Sequence, residues 1–513
     1  MCPNRLSSVR FCRSAVRLVS LAAALALASP AAAGDDPGRP VKYRPWHPAP
    51  GDTSANPASP WTPDPAEIPA LLAPEGTPPD FSADALWRLG DLIDFALRHN
   101  PRTRAAWHAA RAAAAAKASR GGAYLPTVDL EGIGQAGYGS RSSKYEEWQG
   151  ALGPSIAVNY LLYDSGGRAA DLEEARQALR AANWTHRAVL EDVMLLVLEA
   201  YYLHHGVKTL VAAEETAVRE AQAVLESATE RHRAGVATIA DVLQARSALA
   251  QARLAMQTAT GDLRTLEGAL AAAVGLPANT AIRLADFQPE IPADAAAGEV
   301  DRFIEVAQRL RPDLAAARAE ALGAEARVRS VQAAGGVTVA ATAGAGALYN
   351  TGWDTLLDNY SVGLTLRFPI FTGYTHANNV IQASEQSAAA TARVHTMAQT
   401  VAYEVWRSFY ALQTAGEKIR TTDELLGSAS QSYDVALNRY RAGVGDILDL
   451  LSAQRTLEAA RSEQTRARTE WLLAMARLGR NTGQLLDAGP AAAVAPPAPP
   501  DPPAPPRSPE GQP

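Results

Sequence analysis

The feature that most constrains this chain is that it contains itself twice. ERHRAGVATIADVLQARSAL begins at Glu230 and NRYRAGVGDILDLLSAQRTL begins at Asn438. Arg231 aligns with Arg439 and Gly235 with Gly443, both at an offset of 208 residues. Tyr201-Tyr202 against Phe409-Tyr410, and Tyr163 against Phe371, keep the same offset. Asn100-Pro101 against Arg311-Pro312 are 211 apart, so a loop between these landmarks absorbs three residues. An offset shared by so many landmarks argues for one supersecondary unit used twice, rather than two unrelated Ala-rich helices.

Each unit reads helix, strand, strand, helix, helix. The pattern predicts helices over 84–122, 166–232 and 238–274, and again over 302–334, 374–441 and 446–479. Residues 166–232 contain no Pro, and Arg233-Ala234-Gly235 then supplies a left-handed stop. Ala105, Ala109, Ala112, Ala113 and Ala116 share one face of the first helix, where small side chains permit close approach. At 1.5 Å per residue the long helix reaches roughly 100 Å and its partners roughly 55 Å each. Two short helices stacked end to end therefore match one long one, which suggests a rod or the wall of a tube.

Between the helices the period switches to two. Tyr360, Val362, Leu364, Leu366, Phe368 and Ile370 alternate with Ser361, Gly363, Thr365, Arg367 and Pro369. Val337 to Ala347 alternate ahead of it; Val128 to Ala136, then Ile156, Val158 and Tyr160, do the same in the first unit, with loops expected near 139–150 and 350–359. Strands of about ten residues with this alternation fit a barrel with lipid outside and water inside. Tyr138, Trp148, Tyr160, Tyr349, Trp353, Tyr360 and Phe371 sit near the expected strand ends, as an interfacial aromatic girdle would. Alternation alone fits a half-buried soluble sheet equally well. Yet four strands cannot close a barrel, and an open edge in lipid leaves backbone groups unsatisfied. A spanning chain of this kind must oligomerise, and three copies give twelve strands.

The ends carry other information. Arg5, Arg10, Arg13 and Arg17 precede an apolar run, Leu18 to Ala28, and Ala31-Ala32-Ala33. This predicts an export signal over 1–33. Cys2 and Cys12, the two cysteines, fall inside it, leaving no disulfide or thiolate chemistry in the processed chain. Residues 34–81 and 488–513 are Pro-rich, so the repeats are expected at 82–290 and 291–487. A net charge of -6 argues against nucleic acid. No GxSxG, HExxH or phosphate-binding Gly-rich loop is present, and the adjacent His204 and His205 point to different helix faces. The expectation is no enzyme, no cofactor and no metal site.

LIDFALRHNPRTRAAWHAARAAAAAKASRGGAYLPTVDLEG, LRPDLAAARAEALGAEARV, FPIFTGYTHANNVIQASEQ and the two RAGV turns occur in order. With them the chain resembles the TolC-like outer membrane efflux protein family over roughly residues 86–480. The resemblance implies a mixed α and transmembrane β fold: a homotrimer with a twelve-stranded barrel in the outer membrane and a long α-helical periplasmic barrel. It implies docking to a periplasmic adaptor (membrane fusion) protein and an inner-membrane transporter. It places the turns of Arg231, Gly235 and Val236, and of Arg439, Gly443 and Val444, at the periplasmic tips. The family's aperture acids match Asp449 and Ser452 here, with Asp446 close by and Asp241 as the first-copy counterpart. Thr238-x-x-Asp241 and Asp446-x-x-Asp449 also have the spacing of helix caps, so both roles stay open. Arg439 and Arg441 are candidate partners for these carboxylates across the tip. A soluble periplasmic coiled-coil adaptor or scaffold without a pore is the alternative reading.

Overall fold

The computed structural model describes residues 81–142, 145–287, 299–350 and 355–486, all within one compact unit, Thr77–Pro513. The expected signal, most of the 34–81 segment and the 488–513 tail lie outside the described residues, as do Trp353 and the side chains of Tyr138 and Trp148. In chain order come β1 (Leu86–Trp87), α1 (Leu89–His99), α2 (Pro101–Gly122), β2 (Thr127–Ser142), β3 (Tyr145–Tyr163), α3 (Gly167–Arg233) and α4 (Ile239–Val274). Then follow β4 (Arg283–Leu284), α5 (Val300–Leu310), α6 (Pro312–Ala333), β5 (Thr338–Asn350), β6 (Thr355–Arg367), α7 (Thr375–Arg441) and α8 (Ile447–Asn481).

The long helices α3 and α7 each run for 67 residues without a break. The opening helices do not. The single helices expected over 84–122 and 302–334 are each divided, at Pro101 and at Pro312. Proline keeps the residue before it out of the α region, and Asn100 and Arg311 sit at extended ψ values of 128° and 119°. Each proline then occupies the first turn of a new helix, where its missing N–H costs nothing.

The two joints are secured differently. Asn100 is buried; its Oδ1 accepts from the Arg102 N–H at 2.9 Å and its Nδ2 donates to the Ala273 carbonyl at 3.0 Å. Arg311 is buried too, but charged. It pairs with Asp313 at 2.7 Å and with Glu404 of α7, and Arg480 of α8 joins the group while holding Asp192 of α3 at 2.8 Å. Burial alone would lower the Arg311 pKa, but the hydrogen bonds and charges of Asp313 and Glu404 outweigh it and raise the value.

Around these joints the helices share one apolar core. It includes Leu92, Phe95, Val197, Tyr202, Leu270, Leu314, Val405, Leu412, Trp471 and Leu478. On one side of this belt α3 meets α6, where Ser330 donates to Asp171 and Gln177 packs near Gly323. On the other side α3 meets α4 and α8, the latter through a two-pronged Arg461–Glu220 pair at 3.0 and 3.1 Å. Where α3 crosses α8, a Cβ on Gly206 would collide with Thr469 Oγ1 and lie 3.2 Å from its Cβ. Thr469 is held in place because its hydroxyl donates to the Thr465 carbonyl at 2.9 Å. Gly206→Val is therefore expected to destabilise by about 1–3 kcal/mol through overpacking. It should appear as a lowered midpoint in thermal unfolding followed by circular dichroism.

The four longer strands form one antiparallel sheet in the order β2-β3-β5-β6. Directly opposed residues in such a sheet share a face. Leu130, Ile156, Ala345 and Tyr360 line up in one row; Val128, Val158, Ala343 and Val362 form the next. The opposite face carries Glu131, Ser155, Gly346 and Asn359, and Thr127, Asn159, Thr342 and Gly363. Over these rows the sheet is apolar on one side and polar or small on the other, across all four strands. At Gly153 the strands approach so closely that a Cβ would strike the Ala347 carbonyl.

Two details of the strands depart from expectation. The hairpin loops expected over 139–150 and 350–359 are mostly strand, because β2 continues to Ser142, β3 starts at Tyr145 and β6 starts at Thr355. Tyr360 therefore lies mid-strand rather than at an end. Conversely, β6 ends at Arg367, so Phe368 and Ile370 lie beyond it, where Pro369 lacks the N–H that a ladder needs.

Candidate functional site

The tip turns are built the same way in both units. Gly235 and Gly443 have φ of +77° and +78°, values that a side chain would strain. The Val236 N–H donates to the Arg231 carbonyl at 3.0 Å, and the Val444 N–H to the Arg439 carbonyl at 3.0 Å. This six-to-one bond with a glycine before its donor is a Schellman ending, and it reverses the chain within five residues. Val236 and Val444 are left exposed at the ends. Beneath the turns Tyr433, Tyr440, Ile447, Leu450 and Leu457 of the second unit pack with Val224, Ala228 and Ala245 of the first.

The acidic candidates fall into two groups. Asp241 forms a capping box: its Oδ2 accepts from the Thr238 N–H at 3.0 Å, and Thr238 Oγ1 accepts from the Asp241 N–H at 3.3 Å. Asp446 caps α8, its Oδ1 accepting from the Leu448 N–H at 3.2 Å. Asp449 lies in the first turn of α8 without that capping bond, and it and Ser452, one turn on, are both exposed. They share a helix face.

The arginines are arranged differently from the expected pairing. Among the described residues, neither Arg439 nor Arg441 forms an ion pair with Asp241, Asp446 or Asp449. Instead Arg231 of the first unit crosses to the second. Its Nη1 donates to the Tyr440 carbonyl at 2.8 Å, and its guanidinium lies 4.8 Å from the centre of the Tyr440 ring. Arg231 also lies within 4 Å of the space beside Gly443. Burial raises the Tyr440 phenol pKa; Arg231 opposes the rise, and Asp241 and Asp446 add to it. The repeat marks Arg231 and Arg439 as equivalents, but not which of them crosses. The difference lies one residue on, where Tyr440 offers a phenol ring and His232 an imidazole whose Nδ1 lies 3.0 Å from the Ala237 carbonyl oxygen.

Elsewhere, His204 is buried on α3 and its pKa falls, mainly through desolvation and then through Lys208 and His205. Among the described residues no group of three His, Cys, Asp or Glu side chains is placed to hold a metal, and no helix is long and apolar enough to cross a membrane.

The family pattern described as "outer membrane efflux protein" matches residues 92–276 and 303–484, one stretch in each unit. Protein CyaE of Bordetella pertussis is 30% identical over 79% of this chain and 91% of its own length. The pyoverdine export outer membrane protein OpmQ of Pseudomonas putida is 24% identical over 77% and 85%. Among solved structures, the outer-membrane channel OprN superposes with a TM-score of 0.70 at 20% identity, covering 77% of this chain and 90% of that one. The outer membrane protein VceC of Vibrio cholerae gives 0.68 at 20% identity, covering 77% and 96%. These likenesses run through both units, the sheet and the tips, and the chain belongs to the outer membrane efflux protein family.

Proposed function

We propose that this chain is the outer-membrane channel of a tripartite export system. It is a passive conduit, loaded by an inner-membrane transporter through a periplasmic adaptor protein. The observation that carries this reading is the sheet. Its apolar face is exposed across four strands, with Val362 at 91% and Leu364 at 70%, and its two edges, β2 and β6, have no partner strand among the described residues. Lipid is the solvent that suits such a face, and only closure satisfies such edges in lipid. A homotrimer supplies twelve strands. In it the long helices form a periplasmic barrel, and the tips ring its far end.

The tips are then the aperture. Three copies of Asp449 place like charges around one opening, which favours cations. Asp241 and Asp446 serve their helix ends as caps. The test is conductance of the detergent-purified oligomer in planar bilayers: discrete pores are expected. Asp449→Ala should reduce the cation preference measured by reversal potential in a salt gradient. A processed chain that is monomeric in aqueous buffer without detergent overturns the reading, since its apolar sheet face then needs no lipid.

A further inference from the structure

We propose that the water-facing side of the sheet carries a binding band for amphiphilic organic cations, built on Ile133, Gly153, Leu348 and Leu357. This rests on the channel reading above and adds to it a class of solute that the barrel holds.

The polar side of the sheet is interrupted towards its hairpin end. Ile133 of β2 lies opposite Gly153 of β3, and Leu348 of β5 opposite Leu357 of β6. Strands β3 and β5 keep one register on either side of this point, with Leu152 opposite Tyr349 and Ser155 opposite Gly346, which sets Gly153 beside Leu348. The four residues therefore form one row across the whole sheet. The neighbouring rows on the same face are Glu131, Ser155, Gly346 and Asn359 on the helix side, and Gln135, Ala151, Asn350 and Thr355 on the hairpin side. Alternation thus assigns the apolar row to the polar face.

Nothing inside the chain accounts for it. Ile133 is 42% exposed, Leu357 is 40% exposed and Leu348 is half-buried. Among the described residues none of the three packs with a buried apolar cluster. Three large apolar side chains in line on a wet face lose solvation free energy that only a bound apolar group would recover.

Gly153 gives the row its shape. A Cβ there would strike the Ala347 carbonyl, so β3 contributes backbone and no side chain. Neighbouring strands lie about 4.8 Å apart, so Ile133 and Leu348 flank a notch roughly 10 Å wide between their backbones, and the whole row spans roughly 14 Å. With the two side chains in place, the notch admits an aromatic ring on edge or an alkyl chain lying along the row.

Charge selects the occupant. Glu131 and Asp129 precede Ile133 by two and four residues on the same strand and face, which puts the Glu131 carboxylate roughly 7 Å along the strand from the notch. Both acids are exposed, and among the described residues neither forms an ion pair. The other charged side chain described on this face is Arg367, at the helix end of β6. Two carboxylates against one guanidinium leave an excess negative charge in each copy. A solute with a ring or chain in the notch and an ammonium towards Glu131 matches both features; the same ring bearing a carboxylate does not.

Photolabelling of the full-chain oligomer in nanodiscs tests this. The probe is para-benzoylbenzyl-trimethylammonium. On irradiation its ketone takes a hydrogen from a nearby aliphatic C–H, becoming an alcohol, and the two carbons join; mass spectrometry of peptides locates the bond. Label is expected at Ile133, Leu348 and Leu357, displaced by excess octyltrimethylammonium but not by tetramethylammonium. Label read at Ile133 should fall about tenfold in the double variant Leu348→Thr with Leu357→Thr. Glu131→Gln keeps every apolar side chain and should lower it about threefold, the effect of one charge at that distance in water. The anion para-benzoylbenzoate should label the band less than the cation does. Label confined to lipid-side residues such as Val362 and Leu364, unchanged label at Ile133 in both variants, or equal label from cation and anion overturns the inference and leaves the channel reading standing. A chain that is monomeric and forms no pore overturns both.

Discussion

Leu364→Arg is expected to abolish outer-membrane assembly while leaving the helices able to form. Leu364 is 70% exposed, three residues before the end of β6, on the face shared by Ala341 and Tyr160. Among the described residues Leu364 belongs to none of the buried apolar clusters, so a soluble sheet would tolerate arginine there. At the midplane of a bilayer an arginine on the lipid side of a barrel costs about 2–4 kcal/mol. A trimer carries the change three times, all at one depth, so the total is at most about 6–12 kcal/mol. That exceeds what a marginally stable assembly withstands. The measurement is the fraction of chain in outer-membrane pellets, together with its heat-modifiable mobility. The neighbour on the other face gives the comparison: Thr365→Arg puts the charge on the water side and should assemble normally. Equal assembly of the two variants would contradict the assignment of faces.

Arg231→Ala is expected to raise single-channel conductance several-fold at the tip. The guanidinium is the one group at the tip seen to hydrogen-bond from the first unit to the second among the described residues, through the Tyr440 carbonyl at 2.8 Å, and it also lies over the Tyr440 ring, 4.8 Å from its centre. A charged donor on a carbonyl contributes about 1.5–3 kcal/mol, and a partly buried cation–π contact about 0.5–2 kcal/mol. Losing both shifts a two-state tip by roughly thirty-fold or more in favour of the wider state. Arg231→Lys keeps the charge but not the flat face for stacking, and should fall between the two. Tyr440→Leu removes the ring and keeps the carbonyl, so it separates the two contributions. If Arg231→Ala conducts as the parent does, the crossing arginine is packing and the closed state is held elsewhere.

Much of the architecture was legible because its signals are local and repeated. The 166–232 and 374–441 helices are Pro-free and rich in helix formers, and α3 and α7 end within a residue or so of those limits. The glycine turns were legible because only glycine suits φ near +77°. The acid three residues after Thr238 was legible as a cap for the same local reason. Asn100-Pro101 and Arg311-Pro312 stood out as landmarks, yet the helix was carried through them. Proline in a first turn looks harmless from inside the new helix; its effect falls on the residue before. The strand limits failed where Asp358 and Asn359 interrupt the apolar alternation although the ladder continues through them. The Arg231 crossing was not legible at all. Its partner lies 209 residues away, and nothing near either residue names the other.

The unbroken course of α3 and α7 through the belt has a mechanical consequence. Each is a stiff lever gripped part-way along. On α7 the grip is the Glu404 contact to Arg311, and the working end is Tyr440, 36 residues on. That arm is roughly 54 Å at 1.5 Å per residue. A tilt of about 5° at the fulcrum swings its end by roughly 5 Å, on the scale of one helical pitch. The short helices, jointed at Pro101 and Pro312, provide the slack for such a tilt on the far side of the pivot. The strands above then need not move for the mouth below to widen.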